Sequence, residues 1–136
     1  MNNLLNRRLK IGVYNPYFDM LGGGEKYIAT VANILAKKHE VTIFSSQDIR
    51  SMINNIFQID LSKTKFSSSK IFEKRGFFRK LLLTEKFDLF FYMTDGSIFF
   101  PLAKKNFLII QSPGHIPKLS ILNRIKIKKW KIFFRM

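Results

Sequence analysis

Three consecutive glycines, Gly22, Gly23 and Gly24, followed by Glu25, are the residues of this chain best suited to binding a ligand. Glycine has no Cβ, so its backbone can approach a ligand closely and can adopt a positive φ. If the run opens a helix, unpaired N–H groups and the positive end of the helix dipole favour a phosphate or a sugar hydroxyl. The alternative is a tight structural loop, with Glu25 as a first-turn acid that favours the dipole.

The residues on either side of the glycine run predict a strand–helix–strand unit. Leu9–Tyr14 is a short apolar run rich in β-forming residues, which indicates a strand buried on both faces. Glu25–Lys38 repeats its apolar residues with the period of a helix, and Val41–Phe44 is a second apolar run. Such a unit implies a parallel sheet with right-handed crossovers.

The rest of the chain predicts further elements of the same kind. Apolar runs at Phe87–Met93 and Phe107–Gln111 indicate buried strands, and Ser67-Ser68-Ser69 marks a loop. Helices are expected over Gln47–Phe57, Ile71–Leu83, Ser97–Lys105 and Ile121–Met136. The first of these has Ser46 or Asp48 near its N-cap. No linker divides the chain, so residues 1–136 predict one α/β domain with an open parallel sheet and flanking helices.

Two nucleotide-binding patterns fit the glycine run poorly. In the G-x-G-x-x-G dinucleotide fingerprint, Gly22 and Gly24 fit but the third glycine position holds Tyr27. The segment Asn15–Leu21 also separates the strand from the first glycine, and no acid follows Phe44 to bind a ribose. A P-loop is excluded because no Gly-Lys-Ser/Thr follows the glycines.

Composition excludes several other classes of protein. Hydrophobic residues make up 46% of the 136, which is ample for a core, and cysteine is absent, so disulfides and thiolate sites are excluded. The only histidines, His39 and His115, are far apart, so no metal site is expected. The longest uncharged stretch, Asn106–Pro117, is too short to span a membrane, and Met1–Lys10 does not resemble a signal peptide. We therefore expect a cytoplasmic protein.

The positive charge is concentrated in the second half of the chain. Residues 1–68 carry 9 basic and 5 acidic groups, whereas residues 69–136 carry 15 and 4, which gives net charges of +4 and +11. This asymmetry indicates an anionic partner, either a membrane surface or a nucleic acid, unless it reflects only a Lys-rich and Ile-rich composition. RNA-binding sheets expose aromatic residues, but FDLFFYM is typical of a core strand, so no nucleic acid is expected.

The run Lys10–Phe44, KIGVYNPYFDMLGGGEKYIATVANILAKKHEVTIF, resembles the opening of family 4 glycosyltransferases. The later segments FDLFFYMTDGSIFF and FLIIQSPGHIPK are similar to the following strands of the same domain, so the resemblance extends over Lys10–Lys118. These are retaining enzymes of the GT-B fold, in which two Rossmann-like domains face a cleft. The Gly-Gly-Gly-Glu turn in this context is the most specific part of the resemblance.

The resemblance implies transfer of a sugar from a nucleotide-sugar donor to an envelope polysaccharide or a lipid-linked acceptor. It implies no metal and no cofactor. The chain corresponds to the acceptor-side domain of such an enzyme, peripheral on the inner face of a membrane if the basic surface binds anionic lipid. The second domain normally binds the nucleotide-sugar, and no such domain follows before Met136. We therefore expect a truncated enzyme that is inactive alone; the alternative is a stand-alone basic module that binds an anionic membrane or RNA.

Carried over residue by residue, the resemblance also implies a set of site residues. Gly22, Gly23 and Gly24 would offer N–H groups near the donor phosphates and the acceptor, with Glu25 beside them at the helix N-terminus. Further contacts are implied on two loops, one before the glycines and one after the strand Phe107–Gln111. These residues are Tyr17 and Asp19 near the acceptor, Gln111 and Ser112 near the ligand, and His115 as the catalytic candidate against the transferring sugar. Each could equally be an ordinary surface residue, and Asp95 either binds a hydroxyl or caps a helix.

Overall fold

A computed structural model of the chain describes residues 7–73, 82–94, 101–110 and 130–134. The strands in these ranges form one six-stranded sheet in the order β3-β2-β1-β4-β5-β6, and all five neighbouring pairs are parallel. The strands are β1 (Lys10–Tyr14), β2 (Glu40–Ser45), β3 (Lys65–Ser68), β4 (Leu89–Thr94), β5 (Lys105–Ile110) and β6 (Trp130–Phe134).

Helices pack on both faces of this sheet. Helices α1 (Gly23–Ala36) and α2 (Arg50–Phe57) contribute to one core with the buried residues of β1 and β2, and the short α3 (Lys70–Glu73) contributes Phe72 to the core on the opposite face. This strand order with helices on two faces is a doubly wound α/β fold of Rossmann type. The predicted α/β fold class is therefore confirmed. No helix among the described residues has the length and apolar composition needed to cross a membrane.

The central strand β1 is buried on both faces, as its continuous apolar run predicts. Ile11 and Val13 point into the core under α1, whereas Tyr14 lies in the aromatic core on the other face. Between them, Gly12 leaves room for the ring of Phe90 on β4, since a Cβ at Gly12 would lie 2.4 Å from that ring. The glycine in this strand is therefore required by packing.

Several predicted boundaries are wrong. Trp130–Phe134 forms β6, not part of a helix, because its β-forming residues pair in parallel with β5. Ser67 and Ser68 belong to β3, not to a loop, because they pair with the end of β2. The end of the helix expected over Ser97–Lys105 is absent, since residues 101–104 are not helical and Lys105 pairs with Leu89 in the sheet. The middle of the helix expected over Ile71–Leu83 lies outside the described residues.

A carboxylate at the amino edge of the sheet fixes the start of three strands relative to one another. Asp88, just before β4, accepts a hydrogen bond from Lys104 Nζ at 2.7 Å and one from the N–H of Lys10 at 2.9 Å. The Arg7 guanidinium lies 3.5 Å away. The pKa of Asp88 lies below its ordinary value, mainly because Lys104 donates a hydrogen bond to the carboxylate. The hydrogen bond from the N–H of Lys10 is the second cause. Asp88 therefore stabilises the fold in its ionised form.

We predict that Asp88 contributes to the acid sensitivity of the fold. The pKa of Asp88 is lower in the folded chain than in the unfolded chain. Its contribution to stability is therefore complete at pH values above the pKa of the unfolded chain, and it is lost as the pH falls through the pKa of the folded chain. Asp88→Asn should reduce the free energy of unfolding at neutral pH and flatten its decline below about pH 5. Urea unfolding at several pH values measures both effects. An unchanged pH profile would contradict this account of Asp88.

We also predict that Gly12→Ala destabilises the fold through overpacking against Phe90. The expected loss is about 1–3 kcal/mol, because the ring packs against the rings of Phe44, Phe72 and Phe87 and cannot move away freely. Gly23→Ala is the matched control. A Cβ at Gly23 meets nothing within 4 Å, so this variant should be neutral or more stable by up to about 1 kcal/mol. Equal stabilities of the two variants in urea unfolding would rule out the packing constraint at Gly12.

Candidate functional site

The glycine run lies at the carboxyl edge of the sheet, between the end of β1 and the start of α1. From β1 the chain proceeds outwards to β2 and β3, and it then crosses to β4 on the other side of β1. The order of the strands therefore reverses between β1 and β4. In open α/β sheets, ligands bind in the crevice outside the carboxyl ends of the strands at such a switch point. The most glycine-rich segment of the sequence is thus located where this fold binds ligands.

Glu25 is buried and holds the glycine turn in place. Only 5% of the residue is exposed. Its Oε2 accepts a hydrogen bond from the N–H of Gly22 at 2.8 Å, and its Oε1 accepts one from Asn15 Nδ2 at 2.8 Å. Glu25 lies in the first turn of α1, as predicted, but these contacts make it a residue that positions the turn. Its two oxygens already accept hydrogen bonds within the protein.

Asn15 connects this carboxylate to the rest of the sheet. It follows β1 directly, is 1% exposed, and accepts a hydrogen bond from the N–H of Tyr17 at 2.9 Å. Its Nδ2 also lies 3.5 Å from Met93 Sδ near the end of β4. Asn15 therefore links β1, the following loop, α1 and β4. Asn15 is not among the site residues predicted from the sequence, where it only begins the segment between the first strand and the glycines.

The backbone of the turn shows which glycines the fold itself requires. Leu21 has the positive φ, 52°, whereas Gly22 is extended with φ −87° and ψ −168°. A positive φ is thus not the reason for glycine at position 22. A Cβ at Gly22 would lie 2.9 Å from Oε2 of Glu25, so a side chain there would require the end of the Glu25 side chain to shift. At Gly23 an added Cβ would meet nothing within 4 Å, so the fold leaves this residue free to vary.

The first N–H groups of α1 are open at this turn. The first helical hydrogen bond runs from the N–H of Lys26 to the carbonyl oxygen of Gly22 at 3.1 Å. The N–H groups of Gly23, Gly24 and Glu25 precede it and have no acceptor within the helix. Gly23 is exposed, so its N–H has no side chain to shield it, whereas Gly24 is half-buried and Glu25 is buried. The arrangement offers several fixed backbone donors to a ligand oxygen.

The loop before the glycines exposes two of the implied acceptor contacts. A 3-10 turn, Phe18–Met20, is anchored by the buried ring of Phe18. Tyr17 and Asp19 on either side of this anchor are exposed. Both can thus reach a ligand from solvent, and their contact with an acceptor stays a prediction. Gln111, Ser112, His115 and Asp95 lie outside the described residues.

A buried hydroxyl lies at the same edge of the sheet. Ser45, the last residue of β2, is buried, and its Oγ has no hydrogen-bond partner among the residues that the structure describes. In the ladder of β1 and β2, Ser45 follows the pair of Tyr14 and Phe44, so it lies beside Asn15. Ser45 is therefore a second buried polar residue beside Asn15 that the sequence pattern did not predict.

Two further observations concern alternative sites. A surface hollow of about 510 Å³ beside α2 is lined by polar and charged residues, but the Arg50 guanidinium there already binds Asp48 and the carbonyl oxygen of Thr64. In the described ranges, no group of three or more His, Asp or Glu residues is arranged to hold a metal ion. The glycine turn is therefore the best-formed candidate site.

We predict that Glu25→Gln destabilises the chain by about 1–3 kcal/mol, the cost of an unpaired buried donor. Glutamine offers one oxygen to two donors, the Gly22 N–H and Asn15 Nδ2. Flipping the Asn15 amide does not help, because its Oδ1 would then release the N–H of Tyr17. Asp19→Asn makes the same charge change at an exposed position and should alter stability by less than about 0.5 kcal/mol. Equal unfolding midpoints in urea would contradict a positioning role for Glu25.

Comparison with known proteins adds no further assignment. No protein-family model matches this chain, and no curated protein sequence matches it either. The similarity to family 4 glycosyltransferases thus rests on the residues of the sequence alone, and the activity that it implies is a proposal.

Proposed function

We propose that this chain is the acceptor-side, Rossmann-like domain of a retaining glycosyltransferase, and that its glycine turn binds hydroxyl groups of a sugar. The observation that carries the proposal is the open N-terminus of α1 at the switch point between β1 and β4. The buried Asn15–Glu25 pair fixes that turn before any ligand arrives. In this family the donor would be a nucleotide-sugar, and the acceptor an envelope polysaccharide or a lipid-linked sugar.

The charge at the turn favours a neutral ligand over a phosphate. A helix N-terminus carries an effective charge of about +0.5. The Glu25 carboxylate, 2.8 Å from the Gly22 nitrogen, brings a full negative charge to the same place. The carboxylate therefore outweighs the dipole, and a phosphate here would be repelled. A hydroxyl oxygen can still accept hydrogen bonds from the open N–H groups of Gly23 and Gly24, because it carries no net charge.

A turn of this kind would contribute to transfer by positioning. Holding a hydroxyl on fixed backbone donors removes much of the entropy cost of bringing acceptor and donor together. Tyr17 and Asp19 lie on the loop that precedes the turn and could hold further hydroxyls of the same sugar. The diphosphate leaving group would be stabilised elsewhere in the cleft, in keeping with the charge of Glu25 at this turn.

We predict that Gly23→Val weakens sugar binding at least about tenfold while the fold stays intact. The added side chain would cover the open N–H groups, yet its Cβ contacts nothing in the described protein. Saturation-transfer NMR should show glucose-, galactose- or mannose-terminated disaccharides binding to the natural chain and losing at least about tenfold in affinity, or 1.4 kcal/mol, with the variant. A nucleoside-diphosphate sugar is included as the anionic ligand, and its diphosphate should gain nothing from the turn.

Thr30→Val provides the matched control for this experiment. It places the same branched side chain on an exposed position of α1, away from the turn, and should leave sugar binding unchanged. Thermal unfolding of both variants, followed by circular dichroism, shows whether the fold persists. If Gly23→Val binds every tested sugar as the natural chain does, or if the natural chain binds none of them, the proposed site is wrong.

A further inference from the structure

The edge of the sheet at which the parallel strands begin is strongly basic. In the part of the chain that the structure describes, ten exposed basic residues lie at the first residue of a strand or within three residues before it. Among the described acidic residues, Glu40 and Asp88 alone occupy such positions. We call the ten residues the basic edge: Arg7, Arg8, Lys10, Lys37, Lys38, Lys63, Lys65, Lys86, Lys104 and Lys105.

The contacts of Glu40 place cations from neighbouring strands side by side. Glu40 begins β2, and its Oε1 accepts a hydrogen bond at 2.9 Å from Nζ of Lys65, the first residue of β3. This hydrogen bond is the main reason why the pKa of Glu40 lies below its ordinary value. The positive charges of Lys10 and Arg8 lower that pKa further, so both lie close to the same carboxylate.

Most of these cations are not neutralised by the described part of the protein. Arg7 and Lys104 form ion pairs with Asp88, and Lys65 forms one with Glu40. The other seven residues of the basic edge form no ion pair with a described residue. Both carboxylates are thus already engaged, and the edge keeps a large positive charge.

The opposite edge of the sheet shows no such excess of positive charge. Of the residues that follow β1, β2 and β3 within three positions, one is acidic and one is basic, Asp48 and Lys70. A Lys-rich composition alone would distribute positive charge over both edges. The charge is instead polarised along the strands, and a concentration of one sign on one surface attracts a partner of the opposite sign.

Exposed leucines accompany the basic edge. Leu102, three residues before β5, is 50% exposed, and Leu82 is 64% exposed. The N–H of Leu102 donates a hydrogen bond to Thr84 Oγ1 at 2.8 Å, so the helical residues 82–85 lie against the segment that leads into β5. Aliphatic side chains among lysines are typical of surfaces that lie in the headgroup region of a membrane.

We propose that the basic edge binds the surface of a membrane that contains anionic lipids. Basic residues near such a surface are attracted to the negatively charged headgroups, and seven cations without an ion pair in the described structure act together there. Leu102 enters the headgroup region beside them and adds apolar contact. The strands then stand with their amino ends towards the membrane.

A nucleic acid fits this edge less well. Proteins bind single strands with aromatic side chains on which the bases stack. The exposed aromatic residues in the described ranges, Tyr17 and Tyr27, lie near the glycine turn at the other end of the strands.

The basic edge and the glycine turn are far enough apart to be tested separately. Strand β1 has five residues, so at about 3.3 Å per residue the turn lies about 17 Å from the basic edge. The membrane inference therefore does not depend on the proposed sugar site, and its variants leave that site unchanged.

Binding of the full chain to lipid vesicles tests the inference. One set of vesicles consists of neutral phosphatidylcholine, and in the other about a third of the lipid is anionic phosphatidylglycerol. Co-sedimentation at low ionic strength should show at least about tenfold tighter binding to the anionic vesicles. High ionic strength should remove this preference, because salt screens exposed charges.

Two double variants with the same change in charge locate the binding surface. Arg8→Gln combined with Lys105→Gln removes two cations of the basic edge. The affinity for anionic vesicles should fall about 25-fold, since each basic residue near the surface contributes about fivefold. Lys26→Gln combined with Lys70→Gln is the matched control, because both lysines are exposed and lie outside the basic edge. It should lower the affinity less than about threefold.

A second pair of variants tests the apolar contact. Leu102→Ser should weaken binding to anionic vesicles about fivefold, because it removes apolar surface that enters the headgroup region. Ile56→Ser is the matched control on α2, where Ile56 is 53% exposed, and should change nothing. Equal losses in both variants would contradict insertion of Leu102. Thermal unfolding by circular dichroism checks that each variant is folded.

The inference is wrong if the natural chain binds neither kind of vesicle, or binds both equally well. It is also wrong if the Lys26 and Lys70 control lowers vesicle binding as much as the Arg8 and Lys105 variant. A labelled single-stranded RNA is tested in parallel. Should the chain bind this RNA and not the anionic vesicles, the inference is overturned and the basic edge is a nucleic-acid surface.

Discussion

The geometry of the candidate site depends on one buried pair of polar side chains, Asn15 and Glu25. Inside a protein, each of these groups would be costly if left unpaired. Together they satisfy each other and two backbone N–H groups, those of Gly22 and Tyr17. The pair ties the end of β1 to the first turn of α1, so the backbone of the turn cannot move independently of the sheet. A side chain at Gly22 would require this carboxylate to shift.

The two edges of the sheet are held by different interactions. At the amino edge, Asp88 holds the starts of β1, β4 and β5 together through hydrogen bonds and ion pairs. In the middle, Gly12 and Phe90 bring β1 and β4 into close contact. At the carboxyl edge, Asn15 links the end of β1 to Glu25 on α1 and to Met93 on β4, and the hydroxyl of Ser45 is unpaired within the described structure.

The sequence predicted the elements that follow from the local pattern of apolar residues, but it did not predict those that depend on contacts between distant residues. Strand β1, helix α1 and strand β2 follow from apolar periodicity and the glycine run, within a few residues of their observed bounds. Strand β6 was missed because Trp130–Phe134 has no local preference strong enough to exclude a helix, and pairing with β5 settles it. Asn15 was missed because its function depends on Glu25, ten residues away. The glycine run was expected to allow a positive φ, but Leu21 adopts the positive φ and Gly22 is extended.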